Sequence, residues 1–222
     1  MYIIMLGGPG SGKGSVGGKI SEDLNLPHIA TGDIFRDVAK KETELGRKIK
    51  NLIDNGKYVP DDVVIEMVED RLSQDDVKNG AILDGFPRTK EQAVALDNFL
   101  SSKGQKVDAA IELDVSDEDI VKRTITRVVC SNKNCGESFN TEFRPPKVDG
   151  ICDKCGSALT KRKDDNEETI MKRLKVYHDT SKVVLEHYKS NNVLCTIRPN
   201  IYSATVLEDS VAEAEAYLNA NK

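Results

Sequence analysis

The chain has 222 residues, 31% of them charged, with 37 acidic against 32 basic side chains and a formal charge of −5. That length and composition suit one large globular domain or a core with small insertions. The acidic balance argues against a general nucleic-acid binder, so any anion site must be a local basic cluster; no run approaches the ~20 apolar residues of a membrane span, and a cytoplasmic protein is expected.

In chain order, YIIML (2–6) predicts a short buried strand. The glycine-rich GGPGSGKGS (7–15) follows, then a helix over Lys13–Leu24 in which Gly17 and Gly18 are poor helix formers. HIA (28–30) predicts a second short strand, with Thr31 or Asp33 capping the next helix. Residues 34–56 read as charged helix, broken at Gly46 and stopped at Asn55-Gly56-Lys57. Pro60, Asp61 and Asp62 open another helix, in which Val64, Ile65, Val68 and Leu72 form an apolar stripe. AILD (81–84) predicts a buried strand ending in a carboxylate. Residues 89–102 predict a helix with Ala93, Leu96, Phe99 and Leu100 inward, VDAAIELDV (107–115) a strand, and 116–129 a helix. Residues 130–160 change character: few aliphatics, many Cys, Gly, Asn, Lys and Pro, as in an inserted loop-rich module. A long helix over 166–189, the strand NVLCTI (192–197) and an amphipathic helix through Leu207, Val211, Ala214 and Leu218 complete the chain. Strands alternating with helices imply an α/β fold with a parallel sheet covered on both faces.

Strand, glycine turn and helix in succession explain GGPGSGKGS. Such a backbone curls round phosphate oxygens, and the following helix adds its positive end. Gly10, Gly12 and Gly14 allow close approach, and Lys13 supplies a point charge. The spacing Gly7-x4-Gly12-Lys13 fits the nucleotide-loop pattern, although Gly14 stands where Ser or Thr usually follows the lysine and Ser15 comes one later. A guanine-reading Asn-Lys-x-Asp run is missing, which sets a GTPase aside. In LDGFPRTKEQ (83–92), Asp84 ends a strand and can hold Mg²⁺ or its waters. Gly85 and Pro87 shape a turn that aims Arg88 back at the site, and Gln92 offers a carboxamide that reads a base edge by paired donor and acceptor bonds.

Cys130-x4-Cys135 and Cys152-x2-Cys155, separated by 16 residues, match paired zinc knuckles. With all four ligands from the protein, the metal is expected to be structural; free or paired thiols and a nucleic-acid-binding zinc ribbon are the alternatives. Cys195 lies in an apolar strand and reads as a small buried side chain. His28, His178 and His187 have no motif around them and read as structural or surface residues.

GGPGSGKGS, TGDIFR (31–36), DGFPRT (84–89) and KRKDDNEETIMKR (161–173) together resemble the adenylate kinases, up to about residue 190. The cysteine module resembles the long-lid, zinc-binding bacterial form. The resemblance implies a P-loop NTPase-like core with a parallel five-stranded sheet (1–29, 60–126 and 165–222), an AMP-binding arm (30–59) and a zinc-containing lid (127–164). It implies reversible, Mg²⁺-dependent transfer of the terminal phosphoryl group of ATP to AMP, giving two ADP for adenylate homeostasis, by a monomer with no nucleic-acid or membrane partner. By the same resemblance Gly10, Ser11, Gly12, Lys13, Gly14 and Ser15 embrace the ATP phosphates. Thr31, Arg36, the backbone of Lys57, Tyr58 and Val59, then Gly85, Phe86, Pro87, Arg88 and Gln92 hold AMP. Arg123, Arg127, Arg162 and Arg173 surround the transferring phosphate and the adenine of ATP, with Arg162 and Arg173 also reaching AMP, and Asp164 and Asp165 match the lid carboxylates. The catalytic set is therefore Lys13, Asp84, Arg88, Arg123, Arg162 and Arg173. The chain departs from the pattern at Gly17 and Gly18, at Val128, where a second arginine often follows Arg127, and at IRPNIYS (197–203), which replaces a common VDG turn and leaves Asn200 as the expected adenine contact. Thr31 and Gln92 favour AMP over UMP or CMP as acceptor.

Overall fold

The computed structural model describes residues 1–132, 134–203 and 205–221. In chain order it runs β1 (Tyr2–Gly7), α1 (Lys13–Leu24), β2 (His28–Ala30), α2 (Thr31–Ala39), α3 (Glu44–Asp54), α4 (Asp61–Leu72), β3 (Ala81–Asp84), α5 (Lys90–Ser102), β4 (Val107–Leu113), α6 (Asp117–Ile125), β5 (Arg127–Cys130), β6 (Ser138–Asn140), β7 (Leu159–Thr160), α7 (Glu167–Ser190), β8 (Leu194–Ile197) and α8 (Val206–Ala220).

Five strands pair in parallel in the order β2-β3-β1-β4-β8. The central strand explains the sequence's most apolar run: Ile3, Ile4 and Met5 are wholly buried because both faces of a parallel sheet are covered. On one face Ile4, Leu83 and Phe86 pack with Val64 and Val68 of α4, Leu96 and Leu100 of α5, and Val184 and Tyr188 of α7. On the other, Ile3, Met5 and Ile111 pack with Val16 and Ile20 of α1 and Val211 and Leu218 of α8. Burying each such aliphatic side chain stabilises the fold by roughly 1.5–3 kcal/mol. Met5 of β1 pairs with Asp84 of β3, so the glycine loop and the Asp84 carboxylate leave the sheet side by side. This is the carboxyl end of the strands, where α/β sheets bind ligands.

The structure moves three of the sequence-predicted boundaries. The helical break in the 34–56 region falls at 40–43, between α2 and α3, and not at Gly46. Gly46 sits in the first turn of α3, where its N–H bonds the Thr43 hydroxyl (3.0 Å). An added Cβ there would lie 2.3 Å from the Lys41 carbonyl oxygen and 2.7 Å from that of Val38, so the glycine serves close packing of α2 on α3. Neither Thr31 nor Asp33 caps α2, which begins at Thr31 behind Ala30 with no side-chain cap bond. The helix predicted over 116–129 ends at Ile125. Residues 127–130 are instead the middle strand of a small antiparallel sheet, order β6-β5-β7, because Val128 and Val129 pair with Phe139, Ser138 and Thr160.

Candidate active site

β1 leads into the glycine loop, and α1 starts at Lys13 behind Gly12, whose φ is 100°. The positive end of α1 therefore faces the loop's ligand side. Gly10 has a φ of 85°, and a Cβ there would fall 2.1 Å from the Thr124 hydroxyl, so the loop can lie flat on α6 only without a side chain. The Lys13 ammonium donates to the Gly8 carbonyl (3.0 Å). Burial pushes its pKa down to about 8, against the pull of Asp84 and with the push of Arg88, Arg173 and Arg127. A polyphosphate beside it would restore the ordinary value, because an adjacent anion favours the charged form.

The loop opens onto a cleft of about 510 Å³, within the ~300–1,000 Å³ of a usual small-molecule site. Gly10 to Ser15 form one wall. Arg36 of α2, Arg88 of the β3–α5 turn, Arg123 of α6, Arg127 of β5, Arg162 after β7 and Arg173 of α7 line the same cleft. The sequence expects Lys13 and Arg88 to act on one phosphate, and the structure gives them a common wall. By surface area Arg123, Arg162 and Arg173 are only half-buried, but their charged ends are packed among protein atoms. Burial lowers the pKa of all three, that of Arg162 to about 10, so they remain charged at neutral pH. The guanidiniums also press on one another, Arg88 on Arg173 and Arg127 on Arg162. Arg127 is forked onto Asp165 (Nε to Oδ2 2.8 Å), and Arg173 holds Asp164 (2.9 Å). Among the described residues four buried side-chain atoms lack a hydrogen-bond partner, and three belong to residues on this wall: Ser11 Oγ, His28 Nε2 and Arg123 Nη1. The orphaned Arg123 N–H and Ser11 hydroxyl in a basic cleft are donors that an oxyanion satisfies.

Asp84 and Ser15 bring hard oxygen donors to the cleft. A Cβ at residue 14 would sit 3.1 Å from Asp84 Oδ2, so Gly14 keeps the carboxylate open toward the loop. The pair fits Mg²⁺, which binds through one or two protein oxygens and retains waters beside substrate phosphates. His28, read from sequence as a structural or surface residue, lies on this wall with Nε2 3.8 Å from Asp84 Oδ2.

A second compartment adjoins the first, walled by Gly32, Phe35, Arg36, residues 56–59, Val64, Gly85, Arg88 and Gln92. Arg88 is fixed there by its Nε bond to the Gly85 carbonyl (2.7 Å) and by the ring of Tyr58, whose centroid lies 5.0 Å from its guanidinium carbon. Such a stack orients the guanidinium fork. The sequence offers only the backbone of Tyr58; its ring is a contact that no local pattern announces. Gln92 is 2% exposed, its Oε1 accepting from Arg88 N–H (2.8 Å) and its Nε2 donating to Asp61 Oδ1 (2.7 Å).

Three expected contacts have side chains engaged within the protein. Thr31 is buried, and its hydroxyl donates to the Gly85 carbonyl (3.0 Å), tying α2 to the Arg88 turn. Phe86 lies in the core, 2% exposed, because it follows the buried strand β3, so its side chain faces away from the cleft. Asn200 turns its Oδ1 to the Tyr202 N–H (3.3 Å), while Pro199 and Ile201 on either side line the cleft.

The sulfurs of Cys130, Cys135, Cys152 and Cys155 lie within 4.8 Å of one another, with Cys130–Cys155 at 3.4 Å and Cys135–Cys152 at 3.7 Å. Four Zn–S bonds of about 2.3 Å in a tetrahedron set sulfurs ~3.8 Å apart, so the cluster fits a Zn²⁺. The cysteine module's contacts with the rest of the protein include Lys154, paired with Glu22 of α1 (2.6 Å), Asn140, whose Nδ2 donates to the Arg123 carbonyl of α6 (2.8 Å), and Phe143, edge-on to Tyr202 at 5.8 Å. Among the described residues no helix is long and apolar enough to cross a membrane.

A phosphate loop that shares a ring of arginines with a second, base-sized compartment defines a P-loop phosphotransferase of the nucleoside monophosphate kinase class. The family model described as adenylate kinase matches residues 5–193. An adenylate kinase of Caldicellulosiruptor bescii is 50% identical over 194 residues, covering 87% of this chain and 89% of its own. One of Clostridium tetani is 49% identical over 197 residues (89% and 90%), and one of Thermosipho africanus 44% over 209 (94% and 97%). The chain belongs to the adenylate kinase family: it is an enzyme that uses Mg²⁺-ATP and AMP and moves a phosphoryl group between them.

Proposed function

We propose that Gly10 to Ser15, Arg123 and Arg127 hold ATP, that Thr31, Arg36, residues 57–59, the Gly85–Arg88 turn and Gln92 hold AMP, and that Lys13, Arg88, Arg162 and Arg173 neutralise the phosphoryl group passing between them. Residues 30–59 act as the AMP-binding arm and 127–164 as the lid, on a core of 1–29, 60–126 and 165–222. Phosphoryl transfer through a loose transition state needs no covalent nucleophile from the protein; it needs in-line alignment, neutralised charge and excluded water. Arginines supply the second of these, because each fork binds two phosphate oxygens and stays charged. Asp84 and Ser15 are the residues that would hold Mg²⁺, and the ion would supply neutralisation of charge on the phosphates. Four cysteines hold a structural Zn²⁺, and the enzyme works as a cytoplasmic monomer.

The observation that carries this reading is the convergence of Lys13 and Arg88 with Arg123, Arg162 and Arg173, from separate segments, on one cleft. The test is to offer purified protein Mg²⁺-ATP with each nucleoside monophosphate and measure diphosphate formation. AMP is expected to be the preferred acceptor. Arg88→Lys should keep the fold and lower kcat by about a hundredfold or more, since a lysine cannot reproduce the fork. A folded variant with near-normal kcat would remove Arg88 from the reaction.

A further inference from the structure

We infer that Asp61 is a positioning residue that sets which purine the acceptor compartment takes, by fixing the sense of the Gln92 amide. The inference rests on the proposed role of Gln92 at the acceptor base. The Gln92 carboxamide bonds two groups whose roles cannot be exchanged. Arg88 N–H only donates, at 2.8 Å to Oε1, and the Asp61 carboxylate only accepts, at 2.7 Å from Nε2. Turning the amide over would set Oε1 against the carboxylate and the NH₂ against Arg88 N–H. Both bonds would be lost and two repulsive contacts made, in a side chain 2% exposed.

Asp61 is itself held, because Thr89 donates its hydroxyl to the other carboxylate oxygen (2.8 Å). It does not line the acceptor compartment and acts on the base only through Gln92. With those bonds made, Gln92 has one lone pair on Oε1 and one N–H on Nε2 left for a ligand. An acceptor beside a donor matches the edge of a 6-aminopurine, which presents an amino donor beside a bare ring nitrogen. It opposes a 6-oxopurine held in the same sense by its ribose and phosphate, which presents a carbonyl beside a ring N–H in the reverse order. The choice of base is therefore settled before the nucleotide arrives, by a carboxylate that local sequence reads only as a charge at the start of α4.

The test is Asp61→Asn, the same shape with an end that can donate or accept. Steady-state kcat/KM is measured for AMP, and IMP is measured both as substrate and as inhibitor of AMP phosphorylation. The AMP KM should rise more than kcat falls, and the preference for AMP over IMP should drop by about tenfold or more, since a site built on paired hydrogen bonds loses discrimination when its partner can reverse. Asp61→Ser, whose hydroxyl also donates or accepts, should behave alike. Thermal melting confirms folding of each variant. Equal weakening toward both nucleotides, or an unchanged preference in folded protein, would assign Asp61 a structural role only and overturn the inference. Gln92→Leu separates this from the underlying reading: an unchanged AMP KM in that variant would take Gln92 away from the base altogether.

Discussion

Lys13 is a residue whose function opposes its comfort. Its ordinary pKa is 10.5, and burial brings it to about 8 in the folded chain. Between those values the unfolded chain binds a proton that the folded one has released, so this group's contribution to stability rises with pH across the window. Below about pH 8 the burial penalty is present in full, of order 3 kcal/mol. Lys13→Met should therefore melt higher than the parent near pH 7 without nucleotide, and the gap should close toward pH 10.5. Its turnover should fall by orders of magnitude, because the positive charge at the phosphates is gone. Melts of both proteins across that range, with a turnover assay, check the sign; a gap independent of pH would contradict it.

Among the elements, Gly46 shows how a glycine can be misread. Helix propensity alone gives Gly46→Ala about 1 kcal/mol of stabilisation. Packing gives the opposite sign, because the new methyl would overlap the carbonyls of Lys41 and Val38, backbone atoms that cannot swing aside. We expect Gly46→Ala to destabilise by about 1–3 kcal/mol, read as a lower urea midpoint. The same contrast marks what the sequence could reveal. Buried strands, amphipathic helices and the cysteine spacing are local patterns, and the structure has β1, β3, β4, α4, α5 and the close cysteine sulfurs where those patterns put them. The end of α6 is not local, since Val128 and Val129 are drawn into a sheet by residues 138–139 and 160. Nor are the Tyr58 ring under Arg88 and the Asp61 bond to Gln92, made by residues 30 or so positions apart that meet only when α4 packs on α5. Phe86 shows the same limit: its motif marks a turn at the cleft, while its ring packs in the core, so only its backbone is left to face a ligand.

For the whole molecule, the net charge of −5 and the basic cleft are reconciled by location. Acidic groups dominate the total, while Arg36, Arg88, Arg123, Arg127, Arg162 and Arg173 gather on one cleft. The cysteine module has little apolar core of its own. Its buried cluster consists of Cys130, Phe139 and Cys152, with Val128, Cys135 and Leu159 against it, too small to hold the surrounding loops alone. Metal bonds can replace such a core. Removing zinc with a chelator, or making Cys130→Ser, should lower the melting temperature and open residues 127–164 to protease while the parallel sheet stays intact. Carefully purified protein with no zinc would remove the metal from the account and leave the phosphotransfer chemistry untouched.

β5 carries the chain out of the main body and β7 brings it back alongside, with Val129 opposite Thr160 and Cys130 opposite Leu159. Departure and return are thus one strand spacing apart, ~4.8 Å, whatever lies between them. An insertion or deletion between these strands is therefore expected to leave the parallel sheet's geometry unchanged, because the two ends stay paired to each other.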